Sequence, residues 1–273
     1  MSVDAGAPLG VFDSGLGGLT VVRALQRALP AEHIVYLGDT ARVPYGTKGA
    51  ATVVKYAMGC ARHLVARKVK AIVIACNTVS AVAPERLRVE LDIPVLGVIE
   101  PGARAAVAAT HTGRIGVLAT AGTIASGAYP RAVAQVSTRA EVVGQAAPLL
   151  VPLAEEGWTT GDVPQLVVRR YIEPLAHAGV DVVLLGCTHY PLLRDVIESE
   201  VRARIGPHVA VVDSATAMAA DVRDFLDARG LARKGDATDA WVRLLVTDLP
   251  RTFRETAARF LGGAVGEVEQ VDL

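Results

Sequence analysis

The sequence predicts an α/β protein made of two similar, closely docked α/β domains with mainly parallel sheets around a central cleft, and three observations carry that expectation. Short apolar runs of strand length alternate with stretches of helical periodicity along the whole chain. The apolar content, 51% of 273 residues, comes mostly from Ala, Val, Leu and Ile with only 4% aromatics, as suits short strands covered on both faces by Ala-rich helices. Two pairs of stretches also recur at nearly one spacing. PLGVFDSGLG at 8–17 resembles RIGVLATAGT at 114–123, an offset of 106 (114 against 8), and AIVIACNTVSA at 71–81 resembles VVLLGCTHYP, whose cysteine lies 111 residues on (187 against 76). The pattern restarts near residue 100, which assigns 1–98 with 211–273 to a first domain and 99–210 to a second.

Composition excludes several classes of function. Lysine plus arginine (28) equals aspartate plus glutamate (28), so there is no overall field to attract nucleic acid or an anionic membrane. No stretch approaches the ~18 apolar residues of a membrane span, and MSVDAGAPLG has neither a basic region nor a long apolar run. A soluble, cytoplasmic protein is expected. Cys60, Cys76 and Cys187 form no CxxC pair and no disulfide framework, and are read as reduced thiols. Cys187 and His189 at i+2 are the nearest approach to a metal spacing, which the six scattered histidines disfavour. With no phosphate-binding lysine or nicotinamide fingerprint, no cofactor is expected.

Taken in order, Leu9 to Phe12 reads as a strand that enters the turn Asp13-Ser14-Gly15-Leu16-Gly17-Gly18, and LTVVRALQRAL then has helical spacing. Such a turn can gather N–H groups around a phosphate or a carboxylate, or simply permit close packing. His33 to Leu37 is the second strand, followed by GDTARVPYG with a tyrosine at the tip of a turn. Ala50 to Lys68 is helical, with Tyr56, Cys60 and Leu64 on one face, which makes Cys60 a small core hydrophobe. Ala71 to Ala75 is a strand ending at Cys76, Asn77 and Thr78, and Val82 to Leu91 a helix. Val95 to Ile99 is read as a strand that turns at Glu100-Pro101-Gly102 before a small-residue helix from Ala103 to Ala109.

In the second half the expected elements are the strand before the turn that ends at Thr123, a helix from Ser126 to Val136 and a short strand near Glu141 to Val143. Glu155 and Glu156 fall in a loop near a helix end, and Pro164 to Ala178 is helical. Val182 to Leu185 is the strand that carries Cys187. A helix from Pro191 to about Arg204, a strand from Val209 to Val212 and a helix from Ala215 to Arg229 follow. Trp241 to Thr247 and Thr252 to Phe260 close the chain as strand and helix.

The chemistry concentrates at the two cysteine turns. Thr188 and His189 flank one thiol and Asn77 and Thr78 the other, and donor or cationic neighbours favour the thiolate of a group whose ordinary pKa is about 8.5. One such cysteine suggests a nucleophile or a core thiol. Two in matching halves suggest two-sided acid–base work, one thiolate removing a proton and the other thiol returning one, as inversion of a carbon centre requires.

VFDSGLGG, GDTARVPYG, ACNTVSA and GCTHYP, in this order and spacing, resemble the motifs of bacterial glutamate racemases, the cofactor-independent branch of the aspartate/glutamate racemase family, over nearly the whole chain. The resemblance implies that L-glutamate and D-glutamate are interconverted, with D-glutamate supplied to peptidoglycan synthesis and a homodimer as the assembly. It implies Cys76 and Cys187 as the acid/base thiols, Asp13 and His189 as the polar groups beside them, and Glu155, with Glu156 as its rival, as their companion. Ser14, Tyr45, Gly46, Asn77, Thr78 and Thr188 match substrate-contacting positions, as do Asp13 and His189, and Thr120 and Thr123 are added to these. Aspartate racemases typically carry Glu where this chain has His189, which favours glutamate, and the presence of both thiols favours racemisation over the one-thiol isomerising relatives. Some relatives also inhibit DNA gyrase, which extends the resemblance to gyrase as a protein partner. Because the chain begins almost at its first strand, the N-terminal extension of precursor-activated relatives is not expected.

Overall fold

The computed structural model describes residues 4–273. Its described strands are β1 (Leu9–Asp13), β2 (Ile34–Gly38), β3 (Ala71–Ile74), β4 (Val95–Gly97), β5 (Arg114–Ala119), β6 (Glu141–Ala146), β7 (Val182–Gly186), β8 (Ala210–Asp213), β9 (Val242–Val246) and β10 (Val268–Gln270). They form a six-stranded sheet in the order β10-β9-β2-β1-β3-β4 and a four-stranded sheet in the order β6-β5-β7-β8. Every pairing is parallel. The α/β class therefore holds.

The sequence repeat is a repeat of topology and of register. β2-β1-β3-β4 in one sheet matches β6-β5-β7-β8 in the other. Leu9 pairs with Ala71 in the first and Ile115 with Val182 in the second, so β1 and β5 align at the expected offset of 106 and β3 and β7 at 111. The central strands β1, β3 and β7 are buried along their whole length, which is why they read as continuous apolar runs rather than alternating ones. A single apolar cluster includes Leu9 and Val11 of β1, Val183 and Leu185 of β7, Leu150 and Ala154 of helix Leu150–Glu155, and Phe260 of helix Phe253–Leu261. This cluster spans both sheets, and each sheet has a further apolar cluster of its own.

Several boundaries differ from expectation. β4 stops at Gly97, and Glu100-Pro101-Gly102 forms the first turn of helix Ile99–Ala109 instead of a loop. Proline is tolerated there because the first N–H groups of a helix have no intrahelical acceptor. The expected Val82 to Leu91 helix is shorter, Pro84–Glu90, and a separate turn of helix, Asn77–Ser80, follows Cys76 directly. Glu155, expected in a loop, is the last residue of helix Leu150–Glu155. β8 hydrogen-bonds to β7 through Asp213, so the chain leaves the second sheet after Asp213, later than the expected return at 211. β10 was not expected, because three residues at a sheet edge carry too little pattern. Among the described residues no helix is long and apolar enough to cross a membrane.

Candidate active site

Equivalent registers bring the two cysteines to equivalent places, each just past the carboxyl end of a strand, where ligands sit in open parallel sheets. Between them lies a cavity of about 210 Å³, which suits a small metabolite better than a dinucleotide. Ser14, Tyr45, Gly46, Cys76, Asn77, Thr78, Thr120, Glu155, Cys187, Thr188 and His189 all line it. Asp13 and Thr123 are the exceptions. Both are buried one layer behind the wall.

The Gly-rich turn wraps around Asp13. Gly15 N–H donates to Asp13 Oδ2 at 3.2 Å, so the turn holds the chain's own carboxylate. Burial pushes the Asp13 carboxyl above its ordinary range, opposed by the charge of His189 and by the N–H groups of Gly18, Gly15 and Ser14. Its Oδ1 is buried without a partner. The turn also permits close packing, since a Cβ at Gly17 would collide with Thr188 Oγ1 and lie 2.5 Å from His189 Nδ1, and one at Gly18 would lie 2.5 Å from Asp13 Cβ. Gly17 leaves the space that His189 occupies.

Around Cys187 the polar groups form a chain. His189 Nδ1 is 3.8 Å from Cys187 Sγ and 3.3 Å from Thr188 Oγ1, and His189 Nε2 is 3.1 Å from Glu155 Oε1. Burial pulls the His189 pKa down, but hydrogen bonds and charge from Cys187 and Glu155 outweigh it and raise the pKa to about 10. The ring is thereby favoured as an imidazolium. Phe260 packs edge-on against the imidazole at 5.1 Å, and Arg259 donates to the Glu155 carbonyl, so helix Phe253–Leu261 backs this arm. Glu156 has no part in it and borders a separate surface groove with Trp158.

Cys76 has a different setting. Its thiol donates to Ser14 Oγ at 3.6 Å, and burial, followed by the nearby Asp13, pushes its pKa up to about 12. It rests as a neutral thiol. Cys60, the third cysteine, is fully buried on the core face of helix Ala50–Ala66, as its helical spacing predicts.

The hydroxyls close the walls. Thr78 Oγ1 lies 3.0 Å from Thr120 Oγ1 and 3.3 Å from Thr123 Oγ1, joining the turn after β3 to the turn after β5. Tyr45, expected to present its hydroxyl at the tip of a turn, instead donates it inward to Asp39. Asp39 is fully buried and also accepts from Arg42 Nε at 2.7 Å and Thr247 Oγ1 at 2.9 Å, so it ties down the 45–47 turn of the cavity wall. Asn77 borders the cavity while its side-chain amide donates away from it, to Tyr129 Oη at 2.8 Å and Ser214 Oγ at 3.2 Å.

The sequence model of the Asp/Glu/Hydantoin racemase family matches residues 9–222. Glutamate racemase of Geobacter metallireducens is 50% identical over 265 residues, covering 97% of this chain and 96% of that one. The chain belongs to the glutamate racemases of this family. Among solved structures, Francisella tularensis glutamate racemase in complex with D-glutamate superposes with a TM-score of 0.90 at 35% identity, covering 98% of both chains. Thermus thermophilus glutamate racemase in complex with beta-chloro-D-alanine gives 0.88 at 44% identity, covering 99% of this chain and 98% of that one. The chain is thus an amino acid racemase, an isomerase with two α/β domains built around one cleft.

For such an enzyme the electrostatics of the cleft matter, because the lining contains no lysine or arginine. Besides the two thiols, the polar side chains on its wall are the hydroxyls of Ser14, Tyr45, Thr47, Thr78, Thr120 and Thr188, the Asn77 amide, the His189 ring and the Glu155 carboxyl group. Asp39, Gly17, Tyr129 and Ser214 are the residues that sequence reasoning did not single out. Asp39 sits inside GDTARVPYG and was visible as a motif member, whereas Tyr129 and Ser214 lie in a helix and at a helix start with no chemical signature.

Proposed function

We propose that the chain interconverts L-glutamate and D-glutamate without a cofactor, using Cys76 and Cys187 as two bases on opposite sides of the substrate Cα. The observation that carries this reading is the pair of thiols at register-equivalent strand ends facing one cavity of amino-acid size. The thiolate of one cysteine takes the Cα proton and becomes a thiol. The electron pair left on Cα delocalises into the α-carboxylate, and the opposite thiol gives its proton to the other face, becoming the thiolate. Reversal exchanges the two roles.

The supporting residues act on these steps. The chain from Cys187 through His189 to Glu155 stabilises charge on Cys187, and Ser14 accepts from the Cys76 thiol. Asp13 steadies the imidazolium through its charge, and Ser14, Thr78, Thr120 and Thr188 supply fixed donors for the two carboxylates, with Thr123 holding Thr78 and Thr120 in place. Tyr45 and Gly46 contribute the stretch of wall packed beside Thr120. We assign residues up to 98, with those after Asp213, to the domain of the six-stranded sheet and the intervening segment to the other. The D-glutamate produced supplies peptidoglycan synthesis, and the working assembly is a cytoplasmic homodimer.

Circular dichroism of L-glutamate and, separately, D-glutamate with the folded protein tests the activity. Both signals should decay to zero. A signal that persists from either enantiomer overturns the assignment, and faster decay with aspartate transfers it to the aspartate racemases.

A further inference from the structure

Behind the cavity, one buried side chain touches both cysteine turns. Tyr129, from helix Ala128–Val136, is 1% exposed and does not line the cavity. Its hydroxyl accepts from Asn77 Nδ2 at 2.8 Å, one residue after Cys76. Its ring lies flush on Gly186, one residue before Cys187, where an added Cβ would be 2.9 Å from Tyr129 Cε2. Ser214, at the start of helix Ser214–Arg229, repeats the connection: its Oγ accepts from Asn77 Nδ2 at 3.2 Å and donates to the Leu185 carbonyl at 3.3 Å. Asn77 comes from the first sheet's turn, Leu185 and Gly186 from the second sheet's β7.

We propose that Tyr129 and Ser214 are positioning residues that set the separation of the Cys76 and Cys187 turns. The inference rests on the two-thiol reading above. An aromatic ring wedged between a glycine backbone and a hydrogen-bonded amide is a spacer of fixed length, because a close-packed interior does not compress. Two-base racemisation is sensitive to that length. A single thiol can remove and return a proton on its own face whatever the other does, but inversion needs both sulfurs within reach of one carbon, and a misplacement of about 1 Å can cost ~10²-fold in rate.

Glutamate racemisation in D2O by Tyr129→Phe and Ser214→Ala variants separates positioning from simple core packing. Deuterium at Cα is measured by mass spectrometry after the enantiomers are separated. With the spacer intact, deuterium enters mainly the inverted product. In both variants the ratio of deuterium in recovered substrate to deuterium in product should rise, and kcat should fall about tenfold in both directions, the kinetic equivalent of one lost buried hydrogen bond, with KM changed less. The ratio is a property of each active site and does not depend on how much protein is folded, so it remains readable for a destabilised variant. A wild-type ratio in both variants overturns the proposal, even where kcat falls. Cys76→Ser and Cys187→Ser run alongside: near-wild-type racemisation by either defeats the two-thiol reading itself, whereas their inactivity with a wild-type ratio for Tyr129→Phe and Ser214→Ala defeats only the spacer.

Discussion

The turn after β3 and the turn after β7 occupy the same place in the repeat, yet they present opposite chemistry. Cys76 faces a serine hydroxyl with a buried acid behind it and is held as a thiol, its pKa pushed up to about 12. Cys187 faces an imidazolium that is backed by a carboxylate. Alignment of the halves locates the cause: position 13 is Asp where its counterpart 119 is Ala, and position 78 is Thr where its counterpart 189 is His. Backbone symmetry brings the two sulfurs to one cavity, and side-chain asymmetry gives them different surroundings.

Removal of either member of the pair is the harshest way to break this comparison. Cys76→Ser and Cys187→Ser should each lower racemisation by about 10²–10⁴-fold, the range that a positioned acid or base contributes. Their residual exchange of the Cα proton should fail from opposite enantiomers. Loss from the same enantiomer in both variants, followed by proton NMR in D2O, would show that the thiols do not face opposite sides.

Gly17→Ala should come next. A methyl group there collides with Thr188 and His189, and displacing the imidazole by about 1 Å is expected to cost ~10²-fold in kcat. The effect should fall mainly on the proton transfer at Cys187. Equal loss at both thiols in the D2O exchange experiment would contradict a seat specific to His189.

A smaller effect is expected from pH. The His189 pKa is about 10 in the folded protein against an ordinary 6.5, so its charge contributes stability that is complete below pH 6.5 and is lost as pH rises through about 10. Thermal unfolding of the native protein and of His189→Asn should therefore differ most below pH 6.5 and converge above about pH 10. A gap that stays constant over this range would remove the imidazolium from the account. The same asymmetry predicts that iodoacetamide at neutral pH labels Cys187 before Cys76, and peptide mapping that finds the reverse order would contradict it.

The mildest change is at the wall. Asp39→Asn keeps the shape but replaces a charge-assisted acceptor of Tyr45, Arg42 and Thr247, which should lower stability by about 1–3 kcal/mol and raise KM more than it lowers kcat. Chemical denaturation and steady-state rates check both parts. A kcat effect larger than the KM effect would place Asp39 closer to the reaction than its burial beneath Tyr45 suggests.

Much of the molecule was legible in the chain because parallel strands covered on both faces are continuous apolar runs, and β1, β3, β5 and β7 carry that signal twice over. Cys76 and Cys187 were legible for the same reason, as polar breaks at the ends of such runs. β10, the helical start at Ile99 and the terminal position of Glu155 on its helix were not, since each depends on neighbours distant in sequence.

By itself, then, the amino-acid order determined the α/β class, the duplicated halves and the equivalent places of the two cysteines. These follow from local periodicity and self-similarity. Only the tertiary structure decided that Glu155 and not Glu156 meets His189, that the Gly-rich turn holds Asp13, and that Tyr129 joins the two turns from behind. Protonation was decided there too. Burial and charge at a few ångströms set the state of a thiol, and those are properties of the surroundings that folding assembles around it.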